Sequence, residues 1–168
     1  MIEVDHFLND IDISYVDGHG LEKYRRDRKV IVGMDVIEEV HPGSGVRDTF
    51  FWGDLVVKIA YGAYKYQTNR ELYHWCEKVE EEDRQYFTPI IAHGESENED
   101  QPFSWVIQPY MEMEFPTVGS REPSTARAII EHLVTKYNFG DIFTSSEGDT
   151  YCNWSIVNGH PMIHDYGA

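Results

Sequence analysis

The sequence predicts an α+β fold. Three observations carry that prediction: short β-type runs between residues 35 and 110, two stretches of helical apolar spacing, and an Asn-Gly hairpin signal near the C-terminus. At 168 residues the chain suits one domain or two small lobes. With 41% apolar residues it can bury a core.

Residues 1–30 mix acids with Ile, Phe, Leu and Val at no steady period, and Asp17-Gly18-His19-Gly20 marks a turn. Lys23, Arg25, Arg26, Arg28 and Lys29 form the densest basic run. Such a run suits pairing with an acidic surface or clamping a phosphate. Residues 35–40 are the first strand candidate. The turn over 41–46 holds Gly43 and Gly45. Glycines leave backbone N–H groups able to approach phosphates, and they equally serve an ordinary hairpin. Residues 49–52, a Gly53-Asp54 turn and residues 55–60 complete an antiparallel meander. Lys58 interrupts the apolar run Val56-Val57-Lys58-Ile59-Ala60 and, on a strand, points opposite to Val57 and Ile59. Such a lysine either guards an edge strand or meets a ligand.

A helix is predicted over 68–85. Leu72, Trp75, Cys76 and Val79 fall at i, i+3, i+4 and i+7, and Thr68 with Glu71 reads as a capping box. Glu80-Glu81-Glu82-Asp83 reads as a solvated helix end that frays, because acids there oppose the helix dipole. A loop over 86–94 leads into a strand. A polar turn over 95–101 follows, then a strand over 103–110 that ends at Pro109, which cannot donate to a ladder. The expected arrangement is five antiparallel strands with one helix between the third and fourth. Residues 114–122 form a Pro- and Gly-containing loop. In the second helix, Ala126, Ile129, Ile130, Leu133, Val134 and Tyr137 make a broad apolar stripe, capped by Ser124 or Thr125. Asn158-Gly159 between two apolar runs predicts a type I′ hairpin.

The 30 acidic residues against 14 basic ones give a net charge of −16. That charge disfavours direct binding to nucleic acid or an anionic membrane. It suits solubility, or mimicry of a nucleic acid in the basic cleft of another protein. No apolar run approaches the length of a membrane span. The first residues show no basic segment followed by an apolar one, so no secretory leader is expected. Cys76 and Cys152 have no metal-ligand spacing, and a reduced, cytoplasmic setting is the expectation.

The C-terminal hairpin carries the chemistry. One strand begins at Asn153, the other ends at Asp165, and Asp141 lies just upstream. Oxygen ligands converging at one point suit Mg²⁺. The alternative is a surface hairpin with a solvated Asp.

This order of motifs resembles the protein-kinase-like fold, including the small kinase-like proteins found in phages. The resemblance covers residues 35–168. Asp165-Tyr166-Gly167 resembles the family's Asp-Phe-Gly, Asn153 the loop Asn, and Asp141 in Phe139-Gly140-Asp141-Ile142 the catalytic Asp. Val56-Val57-Lys58-Ile59-Ala60 resembles the third-strand lysine context. The resemblance implies an N-terminal extension and a five-stranded N-lobe over 1–113, and a truncated C-lobe over 114–168. It implies ATP and Mg²⁺ as cofactors. Lys58 would contact the phosphates and pair with Glu71, Gly43 and Gly45 would belong to the glycine turn, and Asn153 with Asp165 would hold the metal. Residues 108–113 would be the adenine hinge, flanked by Met111 and Met113.

The sequence also departs from the pattern. It has no His-Arg-Asp triplet, and Gly148 stands five residues before Asn153. Asp141 therefore fits across an insertion at 143–150, with Asp149 the alternative. No activation segment follows Asp165-Tyr166-Gly167. Two functions are expected from this balance. One is a minimal ATP:Mg²⁺-dependent phosphotransferase. The other is a non-catalytic acidic binding protein, a pseudokinase or nucleic-acid mimic, by which a phage inhibits a basic host enzyme or defence factor. A short C-lobe would expose apolar surface, so a homodimer is a further expectation.

Overall fold

The computed structural model describes residues 13–15, 29–32, 35–41, 47–96, 102–114, 124–140 and 153–167. The architecture is mixed α+β, as the sequence predicts. The chain divides into two compact units: Met1–Thr68 with Ile90–Tyr110, and Asn69–Pro89 with Met111–Ala168. No helix among the described residues is long and apolar enough to cross a membrane.

The first unit is an antiparallel sheet. Its strands are β1 (Ile13–Tyr15), β2 (Lys29–Val32), β3 (Asp35–His41), β4 (Arg47–Trp52), β5 (Leu55–Tyr61), β6 (Ala92–Glu95) and β7 (Phe103–Pro109), in the order β1-β2-β3-β4-β5-β7-β6. The five predicted strands are β3 to β7. The aperiodic N-terminal stretch adds β1 and β2, which the sequence did not signal; Lys29 of the basic run begins β2 and stands opposite Glu38 in the backbone register with β3. The two-residue turn between β4 and β5 places Gly53 at φ +57°, the positive φ that a tight primed hairpin turn requires.

One face of the sheet builds the core. Phe50, Val57, Ile59 and Ile107 are fully buried, with Trp105 and Phe103 beside them. Val57 pairs with Phe50 and with Ile107, so apolar side chains from three strands stack in one row. Lys58 lies between Thr49 and Val106 in a strand flanked on both sides, so the edge-guard reading is overturned. It is half-buried.

Gly94 on β6 pairs with Trp105, and a Cβ at Gly94 would meet the indole carbons at 2.5 and 2.7 Å. The indole is packed in the core, against its buried neighbours. Gly94→Ala is therefore expected to destabilise the protein by about 2 kcal/mol through overpacking. Chemical denaturation followed by tryptophan fluorescence measures it, and an unchanged midpoint would show that Trp105 has room to move.

The predicted helix over 68–85 is three pieces. The helix α1 (Lys65–Tyr73) runs into a π turn, His74–Lys78, and a 3-10 turn, Glu81–Tyr86, follows. Thr68 sits in the second turn of α1 and is buried, so it is no N-cap and the capping box with Glu71 does not form. The inward face is the predicted one only in part: Val79 is buried and Trp75 packs partly against the same core. Thr68, Glu71 and His74 are buried at i, i+3 and i+6, while Cys76 is exposed. The widened π turn then rotates Val79 into the core of the second unit.

The second helix, α2 (Ser124–Tyr137), matches its apolar stripe: Ala126, Ile130, Leu133 and Tyr137 are buried. It ends in a left-handed cap at Asn138, φ +54°, with the Phe139 N–H donating to the Val134 carbonyl at 3.2 Å. The ammonium of Lys78 donates to the Tyr137 carbonyl. The acidic run is solvated at Glu80, Glu81 and Glu82, as expected, but it forms an ordered 3-10 turn and is tied to α2. Lys136 donates to Glu80 at 2.5 Å and to Asp83 at 2.7 Å, and the Tyr137 hydroxyl donates to Asp83 at 2.6 Å. Burial opposes the charge of Asp83, but the hydrogen bonds from Lys136 and Tyr137 outweigh it and hold this carboxyl below its ordinary range. Glu81 and Glu82 remain exposed.

Candidate functional site

The site is built on the C-terminal hairpin, β8 (Trp154–Val157) and β9 (His160–Ile163). Asn158 and Gly159 have φ of +50° and +78°, both positive as a type I′ turn demands. Pairing runs from Val157–His160 at the turn to Trp154–Ile163 at the open end. One step further, the His164 N–H donates to the Asn153 carbonyl at 2.9 Å. Asn153 and Asp165 are therefore brought to the same end of the hairpin, as predicted.

The hairpin is not the solvated surface element of the alternative reading. Trp154, Ser155, Ile163 and Tyr166 are all at most 1% exposed. At the turn end, His160 stacks on Tyr86 at 4.9 Å and its Nε2 approaches the Gln85 carbonyl at 3.0 Å. Along β8, Ile156 exchanges backbone bonds with Glu114 in both directions.

Thr88 ties down the segment around Asp165. Its N–H donates to the Ile163 carbonyl at 2.9 Å. Its carbonyl accepts from the Tyr166 hydroxyl at 2.7 Å. Its Oγ1 bonds the His164 Nδ1 at 2.8 Å. On the other side of the ring, His164 Nε2 bonds the Ser155 hydroxyl. Asp165 thus stands half-exposed between two anchored neighbours, with Tyr166 wedged edge-on against Phe87 at 5.3 Å. Thr88, Ser155 and His164 are not among the candidates that the sequence pattern marks. No spacing rule links position 88 to position 164; the only local signal was a histidine directly before the candidate metal carboxylate.

The other predicted residues distribute as follows. Glu71 is fully buried on α1 in the second unit, and Lys58 belongs to β5 of the first. Met111 and Met113 are half-buried beyond the end of β7, which closes at Pro109 as predicted. Gly43, Gly45, Asp141 and Asp149 lie outside the described residues. The structure describes the chain as far as Gly140, two residues after the Asn138 cap.

Among the described residues no three His, Cys, Asp or Glu side chains converge as a metal cluster. One carboxylate and one amide are the chemistry of Mg²⁺, which takes one or two carboxylates and completes its shell with phosphates and water. Asn153 and Asp165 supply one amide and one carboxylate of that kind at the same end of the hairpin.

Comparison with known proteins adds no family to these observations: no family model matches the chain, and no curated protein matches it significantly.

Proposed function

We propose that this chain is a minimal kinase-like protein that binds ATP with Mg²⁺. The observation that carries the reading is the hairpin that brings Asn153 and Asp165, an amide and a carboxylate of the kind Mg²⁺ accepts, to its open end. A second support is the order of elements. β3 to β7 are five antiparallel strands with α1 between the third and fourth of them, the arrangement the kinase resemblance implies. In this reading Lys58 holds the phosphates, Glu71 is its assigned partner, and Asn153 with Asp165 holds the metal. Bound Mg²⁺ neutralises phosphate charge. Asp141 accepts the proton of the substrate hydroxyl.

A ligand that binds only the folded state raises its unfolding temperature. At a hundredfold excess over Kd, the expected rise with Mg²⁺-ATP is roughly 5 to 10 °C. Lys58→Ala and Asp165→Asn are expected to lose it. No shift in the wild type at millimolar nucleotide would sink the reading. A shift makes phosphoryl transfer, with Asp165→Asn as control, the next measurement.

The net charge of −16 favours a second reading, an acidic binding protein that occupies a basic surface on a host protein. It predicts that Asp165→Asn keeps partner binding while Glu81→Lys with Glu82→Lys weakens it. The reversal is confined to these two exposed residues because Glu80 and Asp83 bind Lys136.

A further inference from the structure

A serine hydrogen-bonded to a histidine is the usual sign of a nucleophile and its base. Ser155 contradicts that use here, being 0% exposed and out of reach of any substrate. Thr88, on the ring's other side, is 3% exposed. Two buried hydroxyls therefore grip both nitrogens of one imidazole, and that imidazole belongs to the residue preceding Asp165.

Resting on the reading of Asp165 as a metal ligand, we propose that Thr88 and Ser155 are positioning residues. They lock the His164 ring so that the backbone of residues 164–166 delivers the Asp165 carboxylate to a divalent cation. The grip is specific in direction. Ser155 belongs to the strand that begins beside Asn153, so it ties His164 to the strand carrying the amide ligand. Thr88 comes from the segment after the 3-10 turn and also holds Ile163 and Tyr166. The ring is thus fixed from two sequence-distant points, and Asp165 lies between two held residues. Without the Thr88 hydroxyl, His164 keeps its backbone bond to Asn153 but loses one of the two bonds that hold the ring. Because serine and threonine hydroxyls both donate and accept, the clamp forms with either imidazole tautomer.

The test uses the full chain with Mn²⁺ as the probe, followed by paramagnetic broadening of the ¹³C-labelled Met162 methyl. Met162 pairs with Ser155 and stands three residues before Asp165. In the wild type, Mn²⁺ is expected to broaden this signal selectively, and Asp165→Asn to abolish the effect. Thr88→Val is expected to raise the half-saturating Mn²⁺ concentration about tenfold while its circular dichroism stays native, and Thr88→Ser to restore it. Ser155→Ala gives an independent variant should Thr88→Val fold poorly, with the same expected rise. Wild-type Mn²⁺ response in folded Thr88→Val or Ser155→Ala overturns the positioning role. Equal broadening in wild type and Asp165→Asn, or none in the wild type, overturns it as well. If Mn²⁺ acts as expected but Mg²⁺-ATP leaves the unfolding temperature unchanged, the cation site stands and the nucleotide reading falls.

Discussion

Phe87→Ala is expected to destabilise the protein by about 4 kcal/mol, the upper range for truncating a buried aromatic ring. Phe87 is 1% exposed. Its ring meets Tyr137, Phe139 and Tyr166 edge-on, at centroid distances of 6.0, 5.7 and 5.3 Å. Edge-to-face contacts add to the burial term, and their geometry leaves little freedom for the neighbours to collapse into the space. The three partners come from the end of α2, the residue after its cap, and the Asp165-Tyr166-Gly167 segment. The truncation therefore loosens all of them at once. Denaturant unfolding measures the loss as a lower midpoint at unchanged slope. Phe87→Leu is expected to retain about half of the stability, since it keeps apolar volume without the ring edges. A loss below about 1 kcal/mol in Phe87→Ala would show that the pocket refills and that the ring organises nothing.

The same residues show what the sequence made legible. The hairpin was readable because its determinants are local. Asn-Gly sets the turn, the turn sets the register, and the register brings Asn153 and Asp165 to one end. The α2 stripe was readable for the same reason, one face and one period. The segment after α1 was not. Its apolar spacing fits a continuous helix, yet the buried face is Thr68, Glu71 and His74, three polar residues. Periodicity rules assume that the apolar face turns inward. Here a π turn changes the phase at His74, and only tertiary packing decides that Val79 enters the core. The acidic run was legible only in part, for a related reason. Glu80, Glu81 and Glu82 are exposed as expected, but the bonds that Lys136 and Tyr137, more than fifty residues away, make to Glu80 and Asp83 have no local signal. The His164 clamp is long-range in the same way. Thr88 and His164 are 76 residues apart, and nothing local in either segment announces the pairing.

His74 gives the second large effect, an acid sensitivity with a defined window. The imidazole is 4% exposed, and neither ring nitrogen has a hydrogen-bond partner among the described residues. It stands edge-on to Phe139 at 4.9 Å. Burial first, then the nearby Lys78 and Arg70 cations, push its pKa from 6.5 down to about 4. The folded state therefore favours the neutral ring, and the unfolded chain binds the proton more readily. Stability from this group is complete above pH 6.5. It falls as the pH drops from there toward 4, and the loss levels off below about pH 4. At about 1.4 kcal/mol per pH unit, the full loss approaches roughly 3 kcal/mol. The wild type and His74→Phe share every other ionisable group, so the informative quantity is the difference between them. His74→Phe carries no titrating group and removes two unpaired nitrogens from an apolar contact. It is expected to be at least as stable as the wild type at pH 7.5, and to gain on it steadily down to about pH 4. Denaturant midpoints of the two proteins at half-unit pH intervals test this. A constant gap across the range would mean that His74 becomes charged in the folded protein at its ordinary pKa, which requires water or a carboxylate beside a ring that the structure packs against Phe139.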